Sequence, residues 1–182
     1  MMRRILLLGI AMIALCPPGL AQAQDIGIYD MAMAASRDKT DDVIRMLQAR
    51  KSSNVTDDQG ETPLGYAAQF GDVRMTQALL YYGAQVDTRD QFGNTPLHWA
   101  AQRGYIEVMQ LLLDAKATVD QQNKQGVTPL MMAAQNSQVP ALRLLLKDGA
   151  DPKKQDFTGR DATGWADGKA GVLQFLRAAR SG

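Results

Sequence analysis

His98 is the single histidine of the 182-residue chain, and with Asp87 and Asp90 close by in sequence it is the first candidate for a general base or a metal ligand. Neither chemistry finds the partners it requires. A zinc set needs several His or Cys ligands, yet the chain has no second histidine and its one cysteine is Cys16. No serine stands in the G-x-S-x-G elbow that would make it a nucleophile. Gly164, Gly168 and Lys169 have the residue types of a phosphate-cradling loop, but the spacing is one residue short and no Ser or Thr follows the lysine. Asp87, Asp90 and Asn94 have the types of a calcium loop without its alternating ligands or its closing Glu. The residues therefore predict no catalytic site, no metal and no cofactor, and leave two rival readings, an enzyme built on His98 and a purely structural envelope component.

The elements that position these residues recur. Glycines stand at Gly27, Gly60, Gly93, Gly126 and Gly159, each 33 residues after the last. The stretch Thr95, Pro96, Leu97, His98 has counterparts in Thr62, Pro63, Leu64 and in Thr128, Pro129, Leu130, each followed by an alanine pair: Ala67 and Ala68, Ala100 and Ala101, Ala133 and Ala134. Thr before Pro opens a helix, because its side-chain oxygen caps free N–H groups and Pro at the first helical position lacks a donor that would go unused. A fixed 33-residue period headed by T-P-L-H-x-A is the signature of ankyrin repeats, and from Gly27 to nearly its end the chain resembles an ankyrin solenoid. The resemblance implies an all-α fold of paired antiparallel helices joined by β-turn or hairpin loops. The repeats run at about 27–59, 60–92, 93–125, 126–158 and 159–182, the first and last acting as caps.

Asp57, Asp90, Asn123 and Asp156 all fall three residues before a repeat glycine, where an Asx side chain shapes a turn. Outer helices carry Val73, Met75, Leu79 and Leu80, then Ile106, Val108, Leu112 and Leu113, then Val139, Leu142, Leu145 and Leu146 at helical spacing. Gly83 and Gly149 follow two of these helices as left-handed caps, while Lys116 takes the place in the third and predicts a weaker turn. In the last repeat Val172, Leu173, Phe175 and Leu176 fit an outer helix only if the turn Asp167 to Gly171 is shortened by about two residues.

Charge and leader set the compartment. Met1 to Arg4 are basic at Arg3 and Arg4, Ile5 to Leu15 are apolar, and Ala21, Gln22, Ala23 form an A-x-A site, the order of a secretory signal peptide over residues 1–23. The apolar run is too short to span a bilayer. Leu15 before Cys16 departs from a lipoprotein site, and the context of Arg3 and Arg4 is poor for a twin-arginine signal. Loss of the leader leaves 18 bases against 19 acids, a balance that argues against nucleic acid and against membrane attachment after cleavage. Without cysteine, residues 24–182 hold no intramolecular disulfide, and Asn54-Val55-Thr56 would matter as a glycosylation acceptor only in a eukaryotic pathway. A periplasmic or secreted monomer is the expectation.

The resemblance also assigns roles. Within T-P-L-H the family uses the position of His98 to hydrogen-bond neighbouring repeats, so a structural histidine is implied. Tyr66, Trp99, Met132 and Trp165 share one inner-helix position and read as inter-repeat packing. Ankyrin-family proteins bind protein partners with turn tips and the concave inner-helix surface. The matching positions here are Arg89, Gln91, Phe92 and Asn94 on one tip, Gln122, Lys124 and Gln125 on the next, Phe157 on the last, and the inner-helix ends Gln102, Arg103 and Gln135. Thr56, Asp58, Gln59, Glu61 and Val127 belong to the same tips. Phe92 and Phe157, aromatic where solvent is expected, favour contact with an unidentified protein partner. Arg89, Phe92 and Arg103 are expected to converge on this face.

Overall fold

The computed structural model describes residues 29–181, so the leader expected at residues 1–23 lies outside the described residues. The helices are α1 (Tyr29–Ser36), α2 (Thr40–Gln48), α3 (Pro63–Phe70), α4 (Val73–Tyr81), α5 (Pro96–Arg103), α6 (Ile106–Asp114), α7 (Pro129–Gln135), α8 (Val139–Lys147), α9 (Ala162–Trp165) and α10 (Ala170–Ser181). No strand occurs among the described residues, and the class is all-α. The inner helices α1, α3, α5, α7 and α9 pack in succession on one another, and α2, α4, α6 and α8 form the outer row.

The helices start where the T-P-L heads place them. Thr62 Oγ1 accepts from the Gly65 N–H at 3.1 Å and Thr128 Oγ1 from the Met131 N–H at 3.4 Å, with Pro63, Pro96 and Pro129 opening α3, α5 and α7. The head leucines Leu64, Leu97 and Leu130 are fully buried with the alanine pairs, whose small side chains let successive inner helices approach. Met75 and Leu79, Met109 and Leu112, and Leu142 and Leu145 close the core from the outer row. Truncating one such leucine costs about 2–5 kcal/mol, since a stacked interior closes poorly around a cavity.

After each of the first four outer helices the chain takes a left-handed residue: Arg50 (φ 60°), Gly83 (φ 80°), Lys116 (φ 69°) and Gly149 (φ 93°). The glycines and Lys116 stand where the sequence reading puts them, and Arg50 extends the series to the first repeat. The last repeat is shortened by two residues, but in its helix rather than its turn. Inner helix α9 has only 4 residues against 7 in α7, and the linker after it, 166–169, is one residue longer than 136–138, so α10 begins at Ala170, not at position 172. Asp161 caps α9 by accepting from the Thr163 and Gly164 N–H groups, and Gly168 (φ 73°) makes the left-handed turn two residues earlier than the period predicts.

Candidate partner-binding surface

Four turns are built alike by one Asx residue each. The Oδ1 of Asp57, Asp90, Asn123 and Asp156 accepts from the N–H two residues on, at 2.8–2.9 Å, and from the N–H four residues on, at 2.8–3.0 Å. Successive turns are joined by backbone bonds from Gln91 N–H to the Gln59 carbonyl, from Lys124 N–H to Phe92 and from Phe157 N–H to Gln125, at 3.0–3.1 Å. A second row ties the opposite loops: Asn54 accepts from the Gln85 N–H, Asp87 from Thr118 and Asp120 from Asp151. These bonds replace the calcium reading of Asp87 and Asp90, and among the described residues no group of three His, Cys, Asp or Glu side chains is placed to hold a metal.

His98 is fully buried with both ring nitrogens engaged. Nδ1 lies 3.0 Å from the Thr95 N–H and 2.9 Å from its hydroxyl, and Nε2 lies 3.0 Å from the carbonyl of Val127 in the next repeat. Because Nδ1 must accept, Nε2 carries the proton and donates it across the repeat boundary. Burial pushes the imidazole down to about 4, so it stays neutral. Both nitrogens are thus spent on bonds that hold the helix start and the next repeat.

The position equivalent to His98 in the preceding repeat is Gly65, and its space is filled from elsewhere. A Cβ built on Gly65 would stand 1.7 Å from Glu61 Oε1. Glu61, assigned by sequence to the exposed tip, is only 7% exposed: Oε1 accepts from the Thr62 N–H at 3.2 Å and Oε2 from Gln69 Nε2 at 2.8 Å. Burial pushes its carboxyl up to about 7, and the neighbouring Asp90 and Asp57 push the same way. The acid thus stands in for the imidazole of the next repeat, capping from behind instead of from within the helix.

Beside it runs the aromatic row. Tyr66 donates its hydroxyl to Asp57, and Trp165 Nε1 donates to Asp156 Oδ2 at 2.9 Å, so ring and turn acid pair at the same nine-residue spacing. The middle repeat departs from this: Asp90 Oδ2 accepts instead from Asn94 Nδ2 at 3.3 Å, and the buried Trp99 Nε1 is left without a partner. Met33, 33 residues before Tyr66 and exposed on α1, extends the row; the period alone identifies it.

Between the second and third repeats these groups surround a cleft of about 160 Å³, with Glu61, Tyr66 and Gln69 on one side and Gln91, Phe92 and Trp99 on the other. Turn tips and inner helices therefore do share a surface. Phe92 is 56% exposed at its rim, and Phe157 is 72% exposed, its backbone N and ring so close over Gly126 that no side chain fits there. Arg89, Arg103, Lys124, Gln125 and Gln135 are exposed, and Gln102 is half-buried. No direct contact draws Arg89 or Arg103 to Phe92. Asn94 is a correction: 5% exposed, it accepts from Asn123 Nδ2 at 2.8 Å while donating to Asp90, which makes it a strut between repeats. Val127, likewise assigned to a tip, is buried. Gln122 is half-buried, its amide donating to the carbonyls of Gly126 and Gln155 at 2.8 and 2.9 Å.

No individual curated protein matches the chain. A family model described as ankyrin repeats in three copies matches residues 31–123 and, in a second placement, 77–156. With the period, the stacked helix pairs and the turn ladder already in place, the chain belongs to the ankyrin-repeat family, whose repeats are protein-binding modules.

Proposed function

We propose that this protein is an exported binding module that captures one protein partner in the bacterial envelope across its inner-helix face, as an inhibitor, immunity factor or accessory of another periplasmic protein. The observation that carries the reading is the cleft between neighbouring repeats, rimmed by the exposed Phe92 and lined by Tyr66 and Trp99. Export is supported by the order of basic start, apolar run and A-x-A site in residues 1–23. No helix of the described residues is long and apolar enough to cross a membrane.

Mature protein used as bait in an envelope extract tests the reading. One stoichiometric partner, lost when Phe92 is changed, supports it; many weak partners point to a structural envelope component instead. Intact mass of protein recovered from the envelope tests export: the expected species begins after Ala23, and retention of Met1 to Ala23 or a lipid on Cys16 contradicts it.

A further inference from the structure

The last repeat seats a cation of its own on the inner-helix ring and the turn acid. The Arg160 guanidinium lies 4.4 Å over the Trp165 ring, and its Nη2 and Nε both reach Asp156 Oδ2 at 3.2 Å. Arg160 follows the repeat glycine, Trp165 is the inner-helix ring and Asp156 the turn acid. One repeat back the same three positions hold Val127, Met132 and Asn123, with neither ring nor acid; two repeats back they hold Asn94, Trp99 and Asp90, and three back Glu61, Tyr66 and Asp57. In those two repeats ring and acid are kept while the cation is gone, replaced in one by a neutral amide and in the other by a carboxyl.

The consequence is a cleft with the lining of a cation site and no cation of its own. Glu61 forms part of its wall, the charged groups acting on Glu61 are the acids Asp90 and Asp57, and none of the ion pairs among the described residues involves any of the three. Each Glu61 oxygen accepts one bond from the protein and keeps a lone pair. At about 160 Å³ the space suits one side chain, well below the roughly 300–1,000 Å³ of pockets for whole small molecules. Of the Arg and Lys side-chain cations, a guanidinium fits better than an ammonium, because it is planar, stacks on aromatic faces and pairs with carboxylates through a fork.

We propose that this cleft receives the guanidinium of an arginine presented by the protein partner, stacked against Tyr66 or Trp99 and paired with the Glu61 carboxylate. This rests on the reading that the partner binds on the inner-helix face.

The chain has 2 tryptophans, so the indole N–H signals report separately on the open site at Trp99 and the filled one at Trp165. The protein is titrated by NMR at about pH 8, where Glu61 is ionised, with the N-methylamide of acetyl-arginine and with its neutral, isosteric citrulline analogue. The expected result is a saturable shift of the Trp99 signal with the arginine probe alone, at a Kd on the order of millimolar, and about tenfold weaker binding by Glu61→Gln. An equal shift with citrulline, an undiminished response in Glu61→Gln, or no shift overturns the inference. The comparison of the two probes on unmodified protein needs no variant to fold. A captured partner weakened by changing Phe92 but indifferent to Glu61→Gln overturns the arginine site and leaves the wider reading standing; one indifferent to both overturns both.

Discussion

The Glu61 carboxylate occupies the volume that a side chain on Gly65 would need, with Oε1 1.7 Å from the position of a Cβ there. This inverts the ordinary effect of glycine in a helix. Replacing a helical Gly with Ala adds about 1 kcal/mol of stability when the site is free. Here Gly65→Ala must push a buried, doubly bonded carboxyl off its partners, and we expect a net loss of about 1–3 kcal/mol in urea unfolding. In a Glu61→Ala background the same change becomes neutral or stabilising. A stabilising Gly65→Ala in the unmodified protein refutes the steric account.

Glu61 and His98 make stability respond to pH in opposite directions. The Glu61 carboxyl is raised from 4.5 to about 7, so the folded chain holds a proton the unfolded chain releases, and stability falls as pH climbs from 4.5 through 7. His98 is lowered from 6.5 to about 4, so its contribution is complete above 6.5 and is lost as pH drops through 4. Each contribution amounts to at most about 3 kcal/mol, and between pH 4.5 and 6.5 the two nearly offset each other. Glu61→Gln removes one side of the balance: unfolding midpoints should show it losing about 2–3 kcal/mol relative to wild type on going from pH 6.5 to 4.5. His98→Ala costs about 1–3 kcal/mol near neutrality, as the bonds to Val127 and Thr95 are lost, and leaves stability rising on acidification.

Lys116 holds a left-handed backbone (φ 69°) where the adjoining repeats have Gly83 and Gly149. A side chain there costs about 1 kcal/mol. Lys116→Gly should therefore raise the unfolding free energy by about that amount, whereas Gly83→Lys should lower it. Paired denaturation curves decide both.

Period and head motif reveal most of the fold because each rests on local chemistry: Thr-Pro starts a helix, an alanine pair thins it, and an Asx three residues before glycine folds a turn. Buried side chains at the tips are less legible, since their direction depends on a neighbour. Glu61 turns inward only because Gly65 vacates the space that His98 and Met131 fill in later repeats, and Gly65 at that register is the signal that could have revealed it. Asn94 is drawn in by Asn123, 29 residues away, a partnership that no local pattern contains. In the last repeat, the spacing of Val172 and Leu176 demands the loss of two residues but does not say whether helix or turn gives them up.

Phe92 provides the test of the whole inner-helix face. It is 56% exposed in the free protein, an arrangement that leaves apolar area for a partner to cover, and it lies on the rim of the cleft; Arg89 stands on the same turn and Arg103 at the end of the following inner helix. Aromatic and arginine anchors of this kind lose about 2 kcal/mol or more of binding on truncation. Replacing Arg89, Phe92 and Arg103 together by Ala should weaken the captured partner by roughly 30-fold or more. Circular dichroism and melting temperature should stay near wild type, because the three side chains are exposed and surface changes shift stability by only about 0.5 kcal/mol. Gln110, Asp114 and Lys147, exposed on the outer helices α6 and α8, supply the matched control. If the control triple weakens the partner as much, or the Phe92 triple binds normally, the partner does not sit on the inner-helix face.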